Sequence, residues 1–323
     1  MSTLSGRTQV ALRQYPNCKE ISRYHSARTG TGPARRATAD AHDHSGHAAS
    51  KTNRVNSTHR QIAVIGGGLS GICSAYFLAA KGYEVAVIER RAHVAEEATF
   101  GDSGLLAPGA AMPLTLPGAM ATFACRFEDE PRVLLASGTD FSRRRWMGAT
   151  RQAQQHHFAE NKLRLSRLSA YGQSLTLQLQ AHYNLDNENG SGVFHLFRQP
   201  GEAARMEAMQ EAARQCEFKH QVLDAAAIRT LEPAFSSEAR LSGALYYPDD
   251  QAGNCVLFAK QMRNAAQALG VSFHFESHVR SVSAEFGGRV ALQVDSPHLA
   301  PQMRVDAVVV AAGMASAELL RPL

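Results

Sequence analysis

The sequence predicts an α/β fold built on a parallel sheet, with a mixed α+β domain inserted into it. Two observations predict the sheet: a strand–glycine turn–helix–strand run at residues 61–90, and a return to closely spaced apolar runs after about residue 254. A third predicts the insertion. The chain between them holds one long stretch of helical spacing and isolated strand-like runs, not a repeating βαβ pattern.

Residues 61–90 read QIAVIGGGLSGICSAYFLAAKGYEVAVIER. Four apolar residues, 62–65, fit a short buried parallel strand. Glycines then open a segment of helical spacing that Gly82 closes, and a second apolar run, 85–88, ends on Glu89. Gly66 permits the sharp turn, Gly68 lets the backbone approach a pyrophosphate, and Gly71 lets helix and strand pack closely. The helix N-terminus offers unpaired N–H groups and a positive dipole end to phosphates. Glu89 follows Gly71 by 18 residues, near the spacing of an acid that accepts from ribose hydroxyls. A bare GxGxxG is common by chance. Ala75, Leu78, Gly82, Val85 and Glu89 in register make this a Rossmann-like dinucleotide-binding unit. Arg90 and Arg91 could meet a 2′-phosphate, but Glu89 would repel it, so FAD or NAD is favoured over NADP.

Composition narrows the rest. The 323 residues are 44% hydrophobic, enough for a large core or two domains. The formal charge of +5 belongs to the N-terminal stretch: residues 1–60 hold ten Lys/Arg against three Asp/Glu, a net of +7. The body holds 24 against 26, and has no basic stripe interleaved with aromatics, which excludes nucleic-acid partners. Five scattered cysteines without a CxxC fit a reducing compartment and exclude an obvious zinc or iron–sulfur site. Cys73 reads as a small buried residue of the nucleotide helix. No run of about 20 apolar residues predicts a spanning helix. Residues 1–60 read as a disordered basic extension, with an organelle transit peptide or an upstream start codon as alternatives. The cluster His42, Asp43, His44 and His47 in it lacks a second half and reads as polar, not metal-binding.

The elements follow in order. Residues 99–104 (TFGDSG) and a Pro/Gly/Ala-rich passage through Pro117 suit a loop over a bound ligand. Residues 161–181 read as an amphipathic helix carrying Leu163, Leu165, Leu168, Leu175 and Leu177, with Lys162, Arg164 and Arg167 between them. Strand-like runs at 192–198 and 241–248 flank a helical run at 202–216. Asn254 and Gly270 are placed to cap and end a helix at 254–269. Strands are expected at 272–276, 279–285, 289–295 and 305–310, with Gly287 and Gly288 turning between two of them.

No nucleophile elbow, HExxH or P-loop is present, so no catalytic residue is assigned. His156, His157 and His195 read as solvated or strand histidines. Asp249 and Asp250 read as a turn after Pro248, and Arg143 to Arg145 as a solvated face beside one buried aromatic, Trp146. That absence suits a flavin, which carries its own chemistry and needs position and electrostatics from the protein.

With these residues laid out, residues 61–320 resemble the D-amino-acid oxidase family of FAD-dependent oxidoreductases, and within it the bacterial D-amino-acid dehydrogenase catalytic subunits. IAVIGGGLSGICSAY, GLLAPG at 104–109, ENKLRLSRLSAY at 160–171, LFR at 196–198, GALYYPDDQAGNCVLF at 243–258 and VVAAG at 309–313 carry the resemblance, in matching order and spacing. It implies that Val64, Ile65, Gly66, Gly67, Gly68, Leu69, Ser70 and Gly71 border the pyrophosphate of FAD, with Glu89 and Arg90 at the ribose. Thr99, Asp102 and Gly104 would approach the flavin ring, Val279 the adenine through its backbone, and Ala311, Ala312 and Gly313 the ribityl side. An FAD-binding domain would comprise 61–110 plus 255–320, and a substrate domain 111–254.

The implied activity is oxidative deamination of D-amino acids to 2-oxo acids and ammonia, with electrons passed to a quinone or other acceptor. Glycine, sarcosine or an opine is the alternative substrate, and a catalytically silent relative the alternative role. The implied location is the cytoplasm, with possible peripheral contact on the bacterial inner membrane near residues 113–123. Two departures stand out. Asp102 replaces the family's usual Asn, and a carboxylate beside the ring would disfavour an anionic reduced flavin. The family also continues past Leu323 into a part that completes the substrate sheet and carries its carboxylate-gripping arginine, so a C-terminally truncated chain is expected.

Overall fold

The computed structural model describes residues 60–111, 113, 141–198 and 202–323. The described residues divide into two compact units, one joining those from Arg60 to Asp102 with Cys255–Leu323, the other made of those between Ser103 and Asn254.

In the first unit, β1 (Gln61–Ile65), α1 (Leu69–Ala80) and β2 (Glu84–Ile88) form the βαβ core. β1 lies parallel to β2, with Ala63 opposite Ala86 and Ile65 opposite Ile88. The α1 face Ile72, Ala75, Tyr76 and Ala79 is buried at the 3, 4 and 7 spacing of one helical stripe. Ile72 and Tyr76 are fully enclosed, and burial of each such side chain contributes about 1.5–3 kcal/mol. Gly82 ends the helix at φ +94°, donating to the Ala79 carbonyl at 2.9 Å while Tyr83 N reaches Leu78 O at 3.2 Å.

After the second unit the chain returns through α6 (Cys255–Ala268), which packs on α1, and enters β7 (Ser272–His274), parallel to β2. Gly270, at φ +93°, closes α6 as predicted. The strands β8 (His278–Ala284), β9 (Val290–Asp295) and β10 (Gln302–Val305) form an antiparallel sheet of order β10-β9-β8. Gly287 and Gly288, at φ +88° and +80°, turn β8 into β9. The single strand expected at 305–310 is two. β10 belongs to the antiparallel sheet, and β11 (Ala307–Val310) joins β1 in parallel, giving the order β11-β1-β2-β7. Asp306 makes the break: its Oδ2 accepts from Gln61 N at 2.8 Å and its own amide donates to Gln61 O at 2.9 Å. Ala63 and Ile65 share one core with Val279, Val282, Leu292, Val294, Val305 and Leu319, the last from α7 (Ser316–Leu320).

In the second unit, β3 (Leu105–Leu106), β4 (Gly190–Phe197), β5 (Gln221–Leu223) and β6 (Gly243–Ala252) pair antiparallel around β6. Because β3 pairs with β6, residues 103–110 belong here and not to the first unit. Helices α2 (Phe141–His156), α3 (Phe158–Tyr183), α4 (Ala203–Gln215) and α5 (Ala225–Leu231) complete it. Phe197, Met209, Ala213, Leu245 and Tyr247 form a core on β4, α4 and β6.

Three sequence expectations change here. The α3 stripe that is buried is Lys162, Ser166, Ala170, Ser174 and Leu179, while the leucines flank it and Leu168 is 67% exposed. Small side chains at every fourth position let a helix lie close to its neighbour, and the leucines cover the margins. Trp146 is exposed, not buried. Asp249 and Asp250 lie inside β6, not in a turn. Pro248 has no N–H for the ladder, and the β4 register slips between Ser191 and Val193 where the strand passes it. Adjacent strand residues face opposite ways, so Asp249 meets Lys219 at 3.1 Å in solvent while Asp250 is buried.

Among the described residues no helix is long and apolar enough to cross a membrane, and no cluster of His, Cys, Asp and Glu could hold a metal. The histidine cluster at 42–47 and residues 114–123 of the expected membrane contact lie outside the described residues.

Candidate functional site

At the carboxyl end of β1 the chain turns at Gly66, whose φ is +109° and whose amide donates to Ile88 O at 2.9 Å. A Cβ there would strike the Ala311 carbonyl, and one on Gly71 would strike the Gly66 carbonyl. These two glycines are a steric requirement of the fold. A Cβ on Gly68 would sit 3.3 Å from Thr99 Oγ1, in tight contact with a side chain instead of backbone.

Gly68 begins α1 without a side-chain cap, and no acidic residue stands in the first turn. The Leu69 amide donates to Thr99 Oγ1 at 3.1 Å. The other first-turn amides, of Ser70 and Gly71, and the positive dipole end are left for an anion from outside the chain. A glycine turn that admits no Cβ at Gly66 or Gly71, under a helix start without a side-chain cap of its own, fits a dinucleotide pyrophosphate.

Glu89, 9% exposed, closes the other side. Its Oε2 accepts from Gly67 N at 2.5 Å and its Oε1 from Arg91 N at 2.7 Å, tying the glycine loop to the end of β2. A carboxylate accepts at both oxygens, but an amide only at one. Glu89→Gln is therefore expected to set an NH₂ against a backbone N–H and lower stability by about 1–3 kcal/mol. Urea unfolding of the variant checks this, and native stability would overturn it.

Sequence reasoning passed over Glu97. Arg90 donates to Glu97 through Nε and Nη2, at 2.9 and 2.6 Å, and Arg91 Nε donates to the same carboxylate at 2.8 Å. The hydrogen bond from Arg90 holds the Glu97 carboxyl below the usual carboxylate range. With both guanidinium groups committed to one acid, and Glu89 beside them, the strand end does not present a 2′-phosphate site. Only spatial pairing reveals this, since Glu97 stands in a loop without a motif.

The other predicted positions divide. Gly66, Gly67, Gly68, Leu69, Ser70, Gly71, Glu89, Arg90 and Thr99 gather around the β1 turn, joined by Ala311, whose amide donates to Ile65 O at 2.8 Å. Ala312 and Gly313 follow directly, Gly313 at φ +56°. Val64 and Ile65 are buried at 0% and 5% exposure, so only their backbone can border the site. Ser277 N donates to Glu89 O at 2.9 Å, which brings the start of β8 beside the β2 end; Val279 itself faces the core. Asp102 N reaches Thr99 O at 3.4 Å, closing residues 99–102 as a turn. Gly104 lies in the second unit, crossing Gly253 so tightly that a Cβ would strike the Gly253 carbonyl. Cys73 is half-buried, and burial, with Cys255 nearby, pushes its thiol up to about 11.

The chain is similar to known proteins in sequence and in fold. D-amino acid dehydrogenases of Vibrio cholerae serotype O1 are 29% identical over 267 residues, covering 81% of this chain and 62% of the relative. The chain thus spans under two thirds of the curated relatives it matches. Glycine oxidase from Bacillus cereus shares the fold at a TM-score of 0.54 and 21% identity, over 81% of this chain and 58% of that one. L-alpha-glycerophosphate oxidase from Mycoplasma pneumoniae, solved with FAD bound, does so at 0.55 and 18%, over 81% and 57%. The profile of one family, FAD dependent oxidoreductase (DAO), runs from residue 61 to 323, from the first residue of β1 through the glycine turn to the last residue of the sequence, and to that family the chain belongs.

Proposed function

We propose that this chain serves FAD-dependent oxidation of a D-amino acid. The observation that carries the reading is the similarity to D-amino acid dehydrogenases across 81% of the chain. The uncapped glycine cradle supports it from the physical side.

FAD, when bound, takes two electrons and a proton from the amino-acid Cα–H, leaving an imino acid that water hydrolyses to a 2-oxo acid and ammonia. The chain's own part is to bind and orient. The amides of Gly68, Ser70 and Gly71 meet the pyrophosphate, with the Gly66 and Gly67 backbone beside it, and Glu89 accepts from the ribose with Arg90 beside it. The backbone near Val279 borders the adenine. Ala311, Ala312 and Gly313 leave room for the ribityl chain, and Thr99, Asp102 and Gly104 line the ring. The Asp102 carboxylate would oppose negative charge on the reduced ring, slowing electron uptake relative to an asparagine. Electrons leave to a quinone or another respiratory acceptor. The enzyme reaches it from the cytoplasm by peripheral contact with the inner membrane.

The test is the visible spectrum of the purified protein before and after anaerobic D-alanine. Retained flavin that bleaches supports the reading. Bleaching by glycine or sarcosine but not by D-alanine moves the substrate to secondary or achiral amines. Flavin that no amino acid bleaches, or no flavin at all, overturns the activity for this chain.

A further inference from the structure

Lys162 and Asp250 are 1% and 5% exposed, the most deeply buried charges among the described residues of the second unit. Their hydrogen bonds converge on three consecutive residues. Asp250 Oδ1 accepts from Gly109 N at 3.2 Å and Oδ2 from Ala110 N at 2.9 Å. Lys162 Nζ donates to Gly109 O at 2.8 Å and to Ala111 O. Gly109 lies against the Tyr247 ring so closely that a Cβ would overlap it, and Ala110 packs on the Phe197–Leu245 core. Carboxylate, ammonium and aromatic face therefore leave the turn at 108–111 one conformation.

A buried pair of opposite charges is a weak source of stability, because desolvation offsets most of the attraction. Such a pair is better explained by the geometry it imposes. Peptide groups of a Pro/Gly/Ala-rich segment have little side-chain packing of their own, and here both their donors and acceptors are met by fixed charges. The turn continues directly from β3 and Gly104.

We propose that Lys162 and Asp250 are positioning residues, a two-sided clamp that holds Gly109, Ala110 and Ala111 and so fixes the path of the chain from Gly104 onward. This rests on the reading above, which assigns Gly104 to the flavin ring. The clamp acts through the backbone it grips and touches neither cofactor nor substrate.

The test uses Lys162→Met, Asp250→Asn and the double variant, with hydrogen exchange read at the Gly109 and Ala110 amides. Each single change is expected to speed exchange there at least tenfold, while amides of β1, β2 and β4 keep their native rates. Each single variant leaves one charge buried and unpaired, so the double variant should exchange no faster than the faster single one. In FAD-loaded protein the shape of the visible flavin band should change in the same order. Unchanged exchange at the two amides would overturn the clamp. So would effects that multiply in the double variant, or acceleration spread evenly through β4, since independent structural roles behave that way. Asp250→Asn keeps the side-chain shape and serves if Lys162→Met fails to fold. Exchange needs no flavin, so a flavin-free chain with protected amides would sustain the clamp while refuting the cofactor reading.

Discussion

Gly71→Ala is expected to strip the protein of its flavin. The added methyl would fall on the Gly66 carbonyl, a backbone atom held by the turn and not the tip of a flexible side chain. Relief requires α1 to move away from β1, which carries the first-turn amides off the line they share with Gly66 and Gly68. Overpacking of this kind costs about 1–3 kcal/mol, and to the extent that the cost falls on the displaced amides FAD affinity drops by up to about a hundredfold. Gly172→Ala is the control. Gly172 lies within α3 with open space where its Cβ would stand, so alanine should stabilise the helix by about 0.5–1 kcal/mol and leave flavin affinity untouched. Fluorimetric titration with FAD compares the two, and a Gly71→Ala protein binding as tightly as the control would refute the steric account.

Raising the pH from about 8 to 10.5 is expected to stabilise the native protein relative to Lys162→Met. Burial pushes the Lys162 ammonium down to about 8 from 10.5, against the opposing pull of Cys216 and Asp250. Across that window the unfolded chain holds a proton that the folded one has released. Stability then rises with pH, by up to about 3 kcal/mol over the whole interval. Asp250 has the opposite slope. Burial raises its carboxyl above 3.8, so its contribution falls as pH rises, but in the acid range. A neutral amine still has two N–H groups for the carbonyls of Gly109 and Ala111, so the turn need not open as the charge is lost. Denaturant unfolding of both proteins at several pH values across the window measures the difference. Parallel curves would show that Lys162 titrates as it does in water.

The βαβ unit was legible because its signals are local. Gly71, Gly82 and Glu89 answer to partners within residues 61–91, and Gly66 and the hairpin glycines 287 and 288 carry their positive φ in the sequence, although Gly66 also meets the distant Ala311. What the sequence hid depends on partners far along the chain. Asp250 reads as a turn after Pro248 until β4 and the 108–111 turn are set beside it. Lys162 falls between leucines on a helical wheel, and only the two carbonyls of Gly109 and Ala111 make it an interior residue. Val305 and Val308 look like one strand, yet Asp306 sends them into different sheets. In the site, the glycines and Glu89 announced themselves, whereas Glu97 became visible only through the two arginines it holds.

The second unit begins and ends at one place. Gly253 N donates to Gly104 O at 2.9 Å, and Leu105 stands opposite Ala252. A long insertion between two strands of a sheet would ordinarily burden the host with the entropy of closing a large loop. Here the insert draws its own ends together as it folds, so the parallel sheet meets it as if it were a short connection. Such a cassette can lengthen, shorten or be exchanged along its interior without disturbing the register of β2 and β7. Change within the insert can therefore accumulate while the parallel sheet keeps its pairing.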